Sequence, residues 1–88
     1  MSTILGETDL TQLTAAKIVD ARGAACPGPL LEAKNAMGGV AIGDVIELWS
    51  SDSQTGNDVS AWSGKVGHEF LGVLATEGYE RVFIRRMK

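Results

Sequence analysis

The sequence predicts a two-layer α/β sandwich in which four strands and two helices follow the order βαβαββ, with both helices on one face of a mixed sheet. Three observations carry that expectation. Strand-like and helical periodicities alternate along the chain. A strand–helix–strand unit normally closes as a right-handed parallel crossover. The last two apolar runs are joined by a short glycine-containing connector of the hairpin kind. With 88 residues there is room for one small core and no second module.

Residues 1–16 combine Thr, Ser, Gln and acidic side chains with scattered leucines, a composition compatible with a flexible, frayed arm or one weak helical turn ahead of a domain over residues 17–88. Lys17-Ile18-Val19-Asp20 is β-branched at its centre and stops where Arg22-Gly23 opens a turn, so it reads as the first strand. Over residues 29–37, Leu30, Ala33 and Met37 recur at helical spacing until Gly38-Gly39 ends the pattern. After the Gly43-Asp44 turn signal, Val45-Ile46-Glu47-Leu48-Trp49-Ser50 forms a second strand. Its alternation puts Ile46, Leu48 and Ser50 on one face and Val45, Glu47 and Trp49 on the other. The polar loop over residues 51–57 is full of turn formers and caps. Asp58 then opens a helix with Val59, Trp62 and Val66 on one side, ending at Gly67. Strands over residues 69–76 and 81–87 flank the connector Glu77-Gly78-Tyr79-Glu80, with Val82 and Ile84 facing opposite to Arg81, Phe83 and Arg85.

A hydrophobic fraction of 44% is ordinary for a water-soluble domain, and the single cysteine excludes an internal disulfide framework. It also leaves no paired Cys/His spacing for a structural metal, so no metal site is expected. No basic–apolar leader and no run of about 18 apolar residues is present, which points to a cytoplasmic protein without a membrane partner. Net charge is -3, yet four of the eight basic residues fall in the last eight positions: Arg81, Arg85, Arg86 and Lys88. Lysine and arginine guard sheet edges against aggregation, so this end reads first as a solvated, charged edge strand. Docking to an acidic partner surface is the alternative, and direct nucleic-acid binding through the same arginines is the weakest reading.

Chemistry centres on Cys26, in the run Asp20-Ala21-Arg22-Gly23-Ala24-Ala25-Cys26-Pro27-Gly28-Pro29. Proline suits the first helical position, so Pro27 puts Cys26 at the expected N-cap, against the positive end of the helix dipole. Helix N-termini and nearby cations bring a thiol pKa from about 8.5 into the range of roughly 3.5 to 7.5. Pro27 and Pro29 stiffen the loop. Arg22 either stabilises the thiolate or is a solvated turn residue. Asp20 and Gly23 shape the turn, glycine allowing a positive backbone angle. Because no second cysteine exists, sulfur chemistry begun here must end on another molecule.

The pattern Asp20-x-x-Gly23-x-x-Cys26-Pro27-x-Pro29, with Lys34 eight residues after the cysteine, Gly43-Asp44 before the second strand, and Asp52 leading to Asp58-Val59 and Trp62, resembles the TusA (SirA-like) family of small sulfur carriers over about residues 17–86. The resemblance implies that Cys26 accepts a persulfide sulfur from a cysteine desulfurase or rhodanese-type donor. It would then relay that sulfur to a DsrE-like or other cysteine-bearing acceptor, in tRNA thiolation, sulfur oxidation or related trafficking. No cofactor is implied beyond the covalent sulfur, and the protein would be a carrier and not a self-contained catalyst. This chain has Gly28 where tRNA-thiolation members often carry glutamate, and Ser53 where proline often follows the loop aspartate. Both differences bear on partner choice. A regulatory or redox-linked interaction module of the same fold is the alternative.

Candidate partner-docking residues are Gly28, Lys34, Asp52, Arg85 and Arg86. Lys34 lies about two turns into its helix, too far for direct thiol contact. Asp52, Thr55 and Asp58 either line the thiol end of the sheet or serve as loop and cap residues. His68 invites pairing with Cys26, but a helix-to-strand boundary residue is the expected reading. Trp62 belongs to the core by its spacing, and Trp49 is either core or a docking aromatic.

Overall fold

The computed structural model describes Leu10, residues 15–24 and residues 28–88; the remainder, including Ala25, Cys26 and Pro27, lie outside the described residues. Six elements follow in the expected order: β1 (Lys17–Asp20), α1 (Gly28–Met37), β2 (Val45–Ser50), α2 (Thr55–Val66), β3 (Glu69–Thr76) and β4 (Tyr79–Arg85). They build one four-stranded mixed sheet in the order β1-β2-β4-β3. β1 runs parallel to β2 with Val19 opposite Leu48, and β4 is antiparallel to both β2 and β3.

Alternation along β2 places its side chains as the sequence implies. Ile46 and Leu48 join Val19, Ala33, Ala36, Met37, Val59, Phe70, Val82 and Ile84 in the main core between sheet and helices, with Leu30 and Trp62 packed against it. The opposite face holds a second, smaller core of Val45, Leu71, Leu74 and Phe83, closed by Leu10, which is 1% exposed. A bulge in β3 between Phe70 and Gly72 makes this possible. Strict alternation from Phe70 would send Leu74 to the side of α1 and α2; the extra residue turns both Leu71 and Leu74 to the opposite face.

Two boundaries differ from the sequence expectation. α2 begins at Thr55, three residues before Asp58, because Asp52 builds the preceding turn: its carboxylate accepts the Gln54 N–H at 2.9 Å and its carbonyl accepts the Thr55 N–H at 3.1 Å. The hairpin closes through Glu77-Gly78 alone, with Thr76 already paired to Tyr79, so β4 starts earlier and ends at Arg85.

A third difference concerns neighbours. The basic C-terminal strand is not an edge: β4 lies inside the sheet, and β1 and β3 are the edges. Its arginines are spent on carboxylates of flanking strands. Arg85 Nη1 donates to Glu69 Oε1 at 2.7 Å, and Arg81 Nε donates to Glu47 Oε2 at 2.8 Å. Glu47 is 4% exposed, and it also accepts the indole N–H of Trp49. Burial would raise its pKa, but the hydrogen bonds from Arg81 and Trp49 prevail and hold it below the ordinary carboxylate value.

Breaking a buried ion pair from one side strands a charge. Arg81→Met should therefore cost about 2–4 kcal/mol, below the upper limit for fully buried pairs because the Arg81 side chain is partly exposed. In urea denaturation the double variant Arg81→Met/Glu47→Leu should recover much of that loss. Ser63 gives the opposite case. Its hydroxyl is fully buried in α2 with no hydrogen-bond partner among the described residues. Ser63→Ala should leave the urea midpoint unchanged or raise stability by up to about 1 kcal/mol.

Candidate functional site

Parallel pairing of β1 and β2 gathers their carboxyl ends, the starts of α1 and α2, and the β3–β4 turn at one end of the sheet. The connection from β1 to α1, which contains Cys26 in the sequence, leaves from this end. Loops at the carboxyl ends of parallel strands are where open α/β sheets place their sites. The expectation that Cys26 caps the helix falls on residues outside the described set; α1 is described from Gly28 onward.

The root of that loop is described up to Ala24 and is tied down at each step. Ala21 N–H donates to the Trp49 carbonyl at 2.9 Å, prolonging the β1–β2 ladder by one residue. Gly23 takes φ 84°, in the left-handed region that favours glycine, and its N–H donates to Ser51 Oγ at 2.9 Å. Ala24 N–H returns to the Ala21 carbonyl at 3.2 Å. On the far side of the loop, Pro29 is fully buried. A Cβ at Gly28 would sit 3.1 Å from Ala24 Cβ, so glycine there lets the helix start close on the loop root.

Arg22, 44% exposed at its side chain, pairs with Asp20. Its Nε and Nη2 donate to the two oxygens of Asp20 at 2.9 and 2.8 Å, and its backbone N–H donates to Asp20 Oδ1 at 3.1 Å. These hydrogen bonds hold the Asp20 carboxyl at about 2 and push the guanidinium pKa up. The guanidinium carbon also lies 4.8 Å from the Trp49 ring centroid and 4.9 Å from that of Tyr79. The two rings are 5.4 Å apart. Sequence reasoning missed Tyr79 and Ser51 as neighbours of this loop, and left Trp49 between two roles. The signal for Trp49 was its register: once β1 pairs in parallel with β2, Asp20 faces Trp49.

The remaining predicted residues separate. Asp52 sits at the thiol-loop end, where its carboxylate serves the turn into α2; Thr55 Oγ1 meets Ser50 Oγ at 2.7 Å. Lys34 is exposed along α1. Arg85 and Arg86 lie at the opposite end of the sheet, where Arg86 donates to the carbonyls of Val40 and Lys88. His68 is at that opposite end too, between α2 and β3. Its Nδ1 accepts the Met87 N–H at 3.2 Å, and its ring lies 5.5 Å from that of Trp62. Burial, with Arg86 and Lys88 nearby, lowers its pKa from 6.5. Among the described residues there is no group of three or more His, Cys, Asp or Glu side chains placed to hold a metal, and no helix long and apolar enough to cross a membrane.

Fold and site together define a small α/β sandwich whose one cysteine lies in the strand-to-helix connection. Residues 17–86 match the family described as sulfurtransferase TusA. A candidate sulfur carrier protein of Archaeoglobus fulgidus is 41% identical over 71 residues, covering 81% of this chain and 97% of that protein. The candidate sulfur carrier protein YrkF of Bacillus subtilis is 35% identical over 74 residues, which is 84% of this chain and 40% of YrkF. The crystal structure of a SirA-like protein from Desulfitobacterium hafniense has the same fold, with a TM-score of 0.71 over 82% of this chain and 99% of that one, at 22% identity. The chain belongs to the TusA family.

The neutral imidazole at His68 implies a pH dependence unrelated to the thiol. Because its pKa in the fold lies below 6.5, its contribution is complete above that value and declines as pH falls toward the folded-state pKa. The urea midpoint should therefore drop between pH 8 and pH 5.5, and His68→Gln should flatten that profile.

Proposed function

We propose that this protein is a sulfur carrier that holds a persulfide sulfur on Cys26. The observation that carries the reading is the family match across residues 17–86, which includes the Cys-Pro-x-Pro segment and the strand-to-helix connection containing it. The name of the Archaeoglobus relative, nearly all of which aligns here, supports it.

In this reading the Cys26 thiolate attacks the terminal sulfur of a donor persulfide, forming the Cys26 persulfide and releasing the donor thiolate. On handover an acceptor thiolate attacks the terminal sulfur, and Cys26 departs as thiolate. Each step exchanges one sulfur–sulfur bond for another, so no net oxidant is consumed and no metal or organic cofactor is called for. A cysteine desulfurase or rhodanese-type enzyme is the proposed donor, and a DsrE-like or other cysteine-bearing protein the proposed acceptor. tRNA thiolation, sulfur oxidation and related sulfur trafficking in the cytoplasm are the settings in which such a relay operates. Gly28 and Asp52 at the thiol-loop end, with Lys34 exposed in the last turn of α1, are the proposed docking residues.

Incubation with a cysteine desulfurase and cysteine, followed by intact-mass analysis, should show a gain of one sulfur atom on the wild type and none on Cys26→Ser. Failure of the wild type to take up sulfur from a desulfurase, a rhodanese or inorganic polysulfide would overturn the reading.

A further inference from the structure

We infer that Arg22 is a positioning residue, locking the root of the thiol loop to the sheet face opposite α1 and α2, and is not the counter-ion of the Cys26 thiolate. The inference rests on the sulfur-carrier reading of Cys26. Its warrant is the geometry of the described residues before the cysteine.

The pairing of Arg22 is the first argument. Nε and Nη2 bind both oxygens of Asp20, an arrangement a planar guanidinium can make and an ammonium cannot. The guanidinium also covers Trp49 and Tyr79 at 4.8 and 4.9 Å, where cation and ring attract each other. Direction is the second argument. Asp20 and Trp49 pair across β1 and β2, while Val19, the preceding residue, points into the helix-side core with Ala33 of α1. Adjacent side chains on a strand point to opposite faces, so the Asp20–Arg22 pair sits on the face away from α1, the helix into which the thiol loop runs.

The third argument is continuity. Arg22 lies between two backbone ties, Ala21 N–H to Trp49 O and Gly23 N–H to Ser51 Oγ, and Ala24 N–H closes back on Ala21. One clamped side chain within this run fixes how the chain leaves β1. A lysine would keep the charge but lose the two-point grip and the flat stacking surface. Charge and position can therefore be separated by experiment.

Wild type, Arg22→Lys, Arg22→Gln and Tyr79→Leu should be compared by three measurements. They are the pH dependence of Cys26 alkylation by iodoacetamide, amide hydrogen exchange at Gly23 and Ala24, and initial sulfur uptake from a cysteine desulfurase with cysteine. Positioning predicts that all three variants behave alike: faster exchange at Gly23 and Ala24, an unmoved thiol pKa, and uptake slowed on the order of ten-fold through misplacement. Tyr79→Leu leaves the Arg22–Asp20 pair intact, so it tests the stack separately from the charge. A thiol pKa that rises in Arg22→Gln but not in Arg22→Lys would overturn the inference in favour of a counter-ion. So would wild-type exchange and uptake in both Arg22 variants. If the wild type takes up no sulfur, the carrier reading falls; faster exchange with an unmoved thiol pKa would then still support the positioning role.

Discussion

The ion pair of the Glu47 carboxylate, buried in the middle of a small sheet, is the interaction around which the face opposite α1 and α2 is organised. A lone ionised group there would be strongly unfavourable, so it requires Arg81 from β4 and the indole N–H of Trp49. That requirement joins β2 to β4 in one register, since Glu47 lies opposite Phe83 and Trp49 opposite Arg81. It also divides the face in two. On one side, Val45, Leu71, Leu74, Phe83 and Leu10 form an apolar cluster. On the other, Trp49 is held upright against Tyr79 and offers its ring to Arg22. The described root of the thiol loop is thus anchored to a surface whose geometry is set two residues earlier in β2, at the Glu47–Arg81 pair.

Local patterns made much of the fold legible. β1, β2 and β3 begin and end where the apolar runs do, because each is bounded by residues that cannot continue a strand: Arg22-Gly23, Gly43-Asp44 and Glu77-Gly78. The face assignment of β2 followed from period-two alternation alone. Pairing order was less accessible, because nothing local in Arg81 to Arg85 says which strands flank it. A basic strand reads as a guarded edge until Glu47 and Glu69 are seen on either side. The start of α2 was obscured for a different reason. The segment from Ser51 to Asn57 is crowded with turn formers and helix caps, so composition could not say that Asp52 would complete its turn in time for Thr55 to be helical. The register shift in β3 was equally hidden, since the Phe70–Leu74 run is apolar on both parities.

For the site, the motif residues were legible and their companions were not. Asp20, Arg22, Gly23 and Pro29 are neighbours in sequence, and each has a structural task that its side chain suits. Ser51 and Tyr79 come from other elements, and only the parallel crossover and the hairpin bring them to the same end. The division between generic and specific parts follows from this. The residues that hold the loop are tied to one another and to β2, whereas Lys34 on α1 is exposed with no role in that network and Asp52 is half-buried in the turn that opens α2.

The interior position of β4 also bears on how the protein is made. It is the last of the six described elements, yet it supplies the hydrogen-bonded neighbour of both β2 and β3 and three fully buried side chains, Val82, Phe83 and Ile84. A nascent chain that has emerged only as far as β3 owns a two-stranded parallel ribbon and one unpaired apolar strand, with neither core closed. The four-stranded sheet is complete only when Tyr79–Arg85 pairs, and β3 depends on a hairpin partner that follows it immediately in sequence.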